Sequence, residues 1–342
     1  MNNQHLETAN IGTRLQQLGE DVQKHILSGR DLANDSHPTG FYGGDTIYQI
    51  DRRVESTITS ALEAWPESFK PLLIVAEGFG DDGRKLVGPR HQPLRYRVLI
   101  DPIDGTRGLM YDKRSAWFLA AVAPDRGEET RLSHSIASSM VELPTSKQTL
   151  ADSFCWMKGG DVVATRTRLD TGKWERINIH PSSEKTLAHG FGHVSNFFPG
   201  IKRLAADLME RIAEALSPSC NPGEATIFDD QYISTGGQFV ELMCGRDRFT
   251  CDLRPLFYDI LRRQDGKTTI PGLVCHAYDI AGLLVAQRSG VILTDGYGCA
   301  LDAPFDIYHP VHWCGYANKA LQESIEPVIQ EWLRSKLEGR GS

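Results

Sequence analysis

The chain has 342 residues, 40% of them hydrophobic, enough to bury a substantial core in one large domain or two. A net charge of -7 without any Lys/Arg block argues against a nucleic-acid polymer or an anionic membrane as partner. The seven Cys form no C-x-x-C pair, no basic-then-apolar leader opens the chain, and no apolar run reaches the roughly 20 residues of a bilayer span. A cytoplasmic protein with reduced thiols is therefore expected.

Between residues 11 and 26 the apolar positions Ile11, Leu15, Leu18, Val22 and Ile26 recur every three or four residues, the period of an amphipathic helix. Residues 36–44, with Pro38 and three glycines, read as a loop, and Ile47, Ile50, Val54, Ile58 and Leu62 set a second helix over 46–62. Asp51 lies at the edge of that stripe, where a lone Asp is ordinarily a solvated charge. Residues 72–76 form an apolar run, read as a strand, that ends in Glu77-Gly78. Another, Val98-Leu99-Ile100, delivers Asp101-Pro102-Ile103-Asp104-Gly105-Thr106. Further strands are expected at 117–123, 135–143, 153–157, 161–169 and 174–180, with Gly/Asp punctuation typical of antiparallel connections. An N-terminal half, 1–181, thus reads as a helix pair on an antiparallel sheet.

The second half, 182–342, reads as α/β. A helix over 200–216 carries Ile201, Leu204, Leu208, Ile212 and Leu216 on one face, and a strand follows at 225–229. Ser234-Thr235-Gly236-Gly237 opens a helix over 238–244, and 251–272 is an Arg-rich excursion without clear period. His276-Ala277-Tyr278-Asp279 leads into a helix at 280–288. A strand at 291–294 and a helix at 319–337 complete the chain.

Two buried strands that each end in an acid make a cation site if their ends meet, because a buried carboxylate without a partner is costly. Oxygen-only ligands at short spacing suit a hard ion such as Mg²⁺. Taken alone, Asp101-x-x-Asp104 reads more plainly as a turn in which Asp101 caps and Asp104 is solvated. His189-x3-His193 and His309-x2-His312 have zinc-like spacings, but Gly190, Gly192 and Pro310 and the lack of matching Cys/His partners favour ordinary loop histidines.

Asp51, Glu77, the hexapeptide Asp101–Thr106 and Tyr278-Asp279-Ile280-Ala281-Gly282, in this order, resemble the signature of the inositol monophosphatase family. That family sits within the Mg²⁺-dependent, lithium-sensitive phosphatases that include fructose-1,6-bisphosphatase. The likeness covers nearly the whole chain. It implies a layered α-β-α-β-α sandwich, a homodimer, and a phosphomonoesterase acting on a small polyol or sugar phosphate with two or three Mg²⁺ per site. Glu77, Asp101 and the Ile103 carbonyl would hold one ion, and Asp101, Asp104 and Asp279 another. Asp51 and Thr106 would orient and deprotonate the attacking water.

Gly105 and Thr106, where a turn opens a helix, read as a phosphate cradle. Thr235, Gly236 and Gly237 read as substrate-side amides, with helix capping as the plainer alternative. Several positions depart from the family pattern. Gly78 stands where the family has a second Glu, Tyr278 stands for Trp, and the 251–272 excursion falls where an acid touches substrate, with Asp252 taken as its replacement. Arg107-Gly108-Leu109 is more similar to the Lys-Gly-Phe of the 3'(2'),5'-bisphosphate nucleotidases, which makes such an activity the alternative, alongside a catalytically silent metal- and phosphate-binding regulator.

Overall fold

Both N-terminal stripes become helices in the computed structural model, which describes residues 3–29, 38–42, 45–79, 82–216, 223–265 and 273–338. The first is α1 (Asn3–Ser28). Where a loop is expected, a short antiparallel hairpin intervenes, β1 (Pro38–Tyr42) with β2 (Asp45–Tyr48), so α2 (Gln49–Glu63) starts three residues later than its stripe suggests. Ile47 supplied the misleading position: an apolar residue of a strand fell in phase with the helix that follows it.

The next strands are β3 (Leu72–Ala76), β4 (Arg84–Val87) and β5 (Tyr96–Asp104), followed by the single turn α3 (Thr106–Met110) and then β6 (Ala116–Pro124), β7 (Ala137–Leu143), β8 (Leu150–Met157), β9 (Val163–Arg168) and β10 (Trp174–Arg176). They form one eight-stranded sheet in the order β10-β9-β8-β7-β6-β5-β3-β4. Every pair is antiparallel except β3 with β5, whose parallel register aligns Ala76 with Ile100. This departure from a purely antiparallel sheet matters, because parallel strands end side by side and bring Glu77 and Asp101 to one edge.

Alternation along the strands divides the sheet's two faces. Ile74, Val98, Ile100, Phe118, Ala120 and Val141 pack with Leu15, Val22, Val54 and Ile58 of α1 and α2. Burying each such side chain contributes about 1.5–3 kcal/mol. Val75, Leu99, Trp117, Leu119 and Met140 face the other way.

The second half supplies the remaining layers through β11 (Gly190–Val194), α4 (Lys202–Leu216), β12 (Ile227–Phe228), α5 (Thr235–Met243), β13 (Asp247–Asp252), α6 (Arg254–Asp265), β14 (Cys275–His276), α7 (Leu283–Arg288), β15 (Ile292–Thr294), β16 (Pro310–Val311), β17 (Trp313–Tyr316) and α8 (Lys319–Glu338). A five-stranded sheet runs β12-β11-β13-β17-β15. Phe239, Leu242, Leu283 and Ala286 of α5 and α7 share a core with the inner face of the large sheet. On the far side of the small sheet, Leu208 and Ile212 of α4, Phe257 of α6, and Ile325 and Ile329 of α8 form a third cluster. The result is the expected α-β-α-β-α sandwich.

Of the expected excursion 251–272, residues 266–272 lie outside the described residues, and 251–265 is no irregular stretch. It is the end of a central strand and a helix whose Leu256, Phe257 and Ile260 are buried. No described helix is long and apolar enough to cross a membrane.

Candidate active site

A regular strand would point Asp101 and Asp104 to opposite faces, since their separation is odd. Between them, however, β5 slips against β6: Asp101 pairs with Leu119 and Asp104 with Trp117, so two residues of β5 face one of its partner. The extra residue is a β-bulge beside Pro102, which has no N–H to offer the ladder. The bulge turns both carboxylates into the same cleft. The Ile103 amide donates to Asp101 Oδ1 at 3.0 Å, and the Thr106 hydroxyl donates to the Ile103 carbonyl at 2.8 Å, fixing the turn from inside.

Gly105 follows with φ 96°, a left-handed conformation that favours glycine, and a Cβ there would lie 3.0 Å from Ser234 Cβ and 3.1 Å from the Ile233 carbonyl.

Asp279 comes from the turns between β14 and α7. Helix α7 begins only at Leu283, so Asp279 is held by its own loop, with the His276 amide donating to Oδ2 at 2.5 Å. One carboxylate oxygen from each of Asp101, Asp104 and Asp279 lies within 4.8 Å of the others. Glu77, just past β3, lines the same cleft, as do Ile103, Gly105, Thr106 and Arg107. Asp51 lies in the first turn of α2, and its side chain falls outside the described residues.

Burial pushes Asp101 and Asp279 well above the usual carboxylate range; Asp104 raises both further, as does the more distant Glu77. Asp104 rises to about 6 through burial, opposed by hydrogen bonds from Gly236, Ser234 and Thr235. Three acids are each destabilised as an anion by desolvation, two of them also by their neighbours, and Arg254 offsets this only in part at Asp104 and Asp279. With oxygen donors alone, the set fits a hard divalent cation. Asp101, Asp104 and Asp279 bring their oxygens together, and Glu77 and Ile103 line the same cleft.

The Ser234–Gly237 turn serves the site differently from the sequence expectation. Thr235 and Gly236 amides donate to Asp104 at 3.2 and 2.5 Å, and the Ser234 hydroxyl donates to Asp104 Oδ2 at 2.8 Å while accepting from the Gly237 amide at 2.9 Å. The start of α5 therefore clamps an acid of the site. Thr235 still lines the cleft, but Gly236 and Gly237 do not. Their lack of side chains answers a packing need instead, because a Cβ on Gly236 would meet Leu119 and one on Gly237 the Tyr232 ring.

Asp252 is likewise absent from the lining. It is fully buried and ion-paired to Arg254 at 2.6 Å, so its carboxylate is already satisfied and has no exposed oxygen for a ligand. Arg254 lines the cleft in its place, together with Phe197 and Phe198. Sequence reasoning missed these three, and took Ser234 only as part of the turn that opens the helix. The one available signal was the Asp252-x-Arg254 spacing, which sets an acid and a base two residues apart where the strand passes into a helix.

No family model matches the sequence, and neither does any curated protein. Solved structures do match over almost their full length. The extragenic suppressor protein SuhB of Bartonella henselae aligns over 94% of this chain and 99% of its own at TM-score 0.60 and 12% identity. Leishmania major fructose-1,6-bisphosphatase covers 95% and 92% at TM-score 0.62 and 11% identity. An inositol monophosphatase from Anabaena (Nostoc) covers 96% and 98% at TM-score 0.55 and 12% identity. This chain has the inositol monophosphatase fold. Within that fold, the acidic cleft lies where the C-terminal ends of the parallel strands β3 and β5 meet the loop before α7 and the start of α5.

Proposed function

We propose that the chain is a Mg²⁺-dependent phosphomonoesterase that hydrolyses a small polyol, sugar or nucleotide phosphate. What carries this reading is the convergence of Asp101, Asp104 and Asp279, remote in sequence, to within 4.8 Å beside Glu77 and Thr106. Bound as a pair, Mg²⁺ ions would acidify a water and neutralise the charge that develops on the phosphoryl and leaving oxygens. Asp101, central among the acids, is the proposed shared ligand. Asp104 arrives already oriented by α5, so its geometry needs no rearrangement when substrate binds.

Thr106 presents its hydroxyl in the cleft, fixed by the Ile103 carbonyl, and is the candidate to orient the attacking water together with Asp51. Gly105 lets the ester's phosphate approach the backbone closely. Hydrolysis then needs positioning and charge neutralisation more than covalent chemistry.

A phosphate-release screen tests the proposal. Inositol 1-phosphate, fructose 1,6-bisphosphate, adenosine 3',5'-bisphosphate and histidinol phosphate are incubated with the protein and Mg²⁺, with EDTA and Li⁺ as separate controls. Release abolished by EDTA and inhibited by Li⁺ is the expected result. A protein that binds Mg²⁺ and releases phosphate from no compound in the panel is not this enzyme.

A further inference from the structure

The cleft that holds the acids is also lined by a cation, near enough to favour the ionised forms of Asp104 and Asp279. Arg254 is only 6% exposed, yet it lines the cleft, and its guanidinium lies against two other lining residues, Phe197 and Phe198. Asp252 grips it from the side: Nε donates to both carboxylate oxygens at 2.9 Å and Nη2 donates to Oδ2 at 2.6 Å. Nη1 donates to the Leu273 carbonyl at 3.2 Å. The rings of Phe197 and Phe198 lie 5.1 and 5.7 Å from the guanidinium carbon, and Arg107 approaches Phe198 at 6.0 Å.

A guanidinium has five N–H groups. These bonds engage one on each nitrogen, which leaves the second N–H of Nη1 and of Nη2 without an acceptor among the described residues. Both belong to a plane that Asp252, Leu273 and two aromatic rings prevent from turning away. Buried donors are costly when unpaired, and the complement of two donors on adjacent guanidinium nitrogens is an oxyanion. A ligand decorated only with hydroxyls would be better served by a free acceptor, and the nearby acid, Asp252, is already occupied.

Resting on the phosphomonoesterase reading, we propose that Arg254, held by Asp252, is the subsite for a second anionic group on the substrate. The ester's phosphate takes the acidic, metal-holding end, and a second phosphate or a carboxylate takes the arginine end. The substrate class narrows to small, doubly anionic phosphate esters. Arg254 is the residue that sets this specificity, while Asp252 positions it.

Matched pairs test the subsite: fructose 1,6-bisphosphate against fructose 1-phosphate, adenosine 3',5'-bisphosphate against adenosine 3'-monophosphate, and 3-phosphoglycerate against glycerol 3-phosphate. The first two pairs ask about a second phosphate, the third about a carboxylate. In at least one pair, kcat/KM should favour the doubly anionic member by about tenfold or more, the value of a charge-assisted hydrogen bond, with most of the difference in KM.

Arg254→Lys keeps the charge but loses the planar fork, and should reduce that ratio several-fold. The double variant D252N/R254Q, which leaves no buried charge unpaired, should bring it close to one. Wild-type ratios near one in all three pairs, with phosphate released, overturn the subsite and leave the phosphomonoesterase intact. If no compound is hydrolysed, the phosphomonoesterase reading fails, and calorimetric binding of the same pairs decides the subsite alone: equal affinities overturn it, and tighter binding of the doubly anionic member upholds it.

Discussion

Replacing Asp101 with Asn separates the two things this carboxylate does. The side chain is 4% exposed, one of its oxygens lies within 4.8 Å of oxygens of Asp104 and Asp279, and Oδ1 accepts the Ile103 amide. An Asn carbonyl can keep that last bond, so the bulge should survive. The variant removes a group that burial and like charges make costly to ionise, a relief of about 1–3 kcal/mol for the metal-free protein. For a chain of this size that raises the melting temperature by roughly 1–2 °C per kcal/mol.

In saturating Mg²⁺ the order reverses. The wild type gains about 2.7 kcal/mol when the ion is a hundredfold above its Kd, whereas Asp101→Asn gains little or nothing. Loss of the shared ligand should lower kcat by about a thousandfold or more. Paired thermal melts in EDTA and in Mg²⁺, with a phosphate-release assay, read all three quantities. An Asn variant that is less stable than the wild type in EDTA, or that keeps activity within about tenfold in Mg²⁺, refutes the reasoning.

Ser234→Ala should destabilise the fold by about 1–2 kcal/mol, because the hydroxyl caps α5, and should weaken Mg²⁺ affinity about 10–100-fold, because it also orients Asp104; unchanged affinity by calorimetry would remove Ser234 from the site. Gly105→Ala places a Cβ against Ser234 at φ 96° and should cost about 1–3 kcal/mol in urea unfolding, a value near zero being the contrary result. Buried beside each other on β11 and β13, His193 and Asp247 offer a pH test. Burial lowers His193 to about 4, and burial aided by Glu241 raises Asp247 to about 7. From pH 4 to 6.5 the unfolded chain charges His193 while the folded one refuses the proton, so that group's contribution to stability rises with pH; Asp247 keeps a proton that the unfolded chain releases, so its contribution falls as pH rises to 7. The two oppose each other in the wild type, so relative to the wild-type profile Asp247→Asn should gain stability with pH across 4–6.5 and His193→Gln should lose it across 4–7, each by at most about 1.4 kcal/mol per unit. Urea midpoints that follow the wild-type profile in both variants would refute the pair.

What could be read in the sequence was whatever repeats with a period or stands in a contiguous motif. The stripes Ile11 to Ile26 and Ile201 to Leu216 became α1 and α4 because one apolar face is enough to dock a helix on a sheet. Asp101 and Asp104 were visible because the strand and its turn are adjacent in sequence, but the bulge that aims them is a property of two paired strands and leaves no mark on either alone. The strand and helix over 251–265 were hidden for a similar reason: β13 is buried on both faces, with Phe249, Cys251 and Asp252 all fully inside, so it lacks the alternation that identifies a half-exposed strand.

Asp252 shows the limit most clearly. Its residue type and position suggested an acid facing substrate, yet two residues later the chain supplies an Arg that captures it. A carboxylate beside an arginine in a buried strand end is drawn to that partner before any ligand arrives, because neither ion is stable there alone. The group that reaches the cleft is then the cation rather than the anion. A single i, i+2 pairing thus reverses the sign of charge offered at one end of the site, and the reversal follows from which oppositely charged neighbour is nearer, not from the identity of either residue.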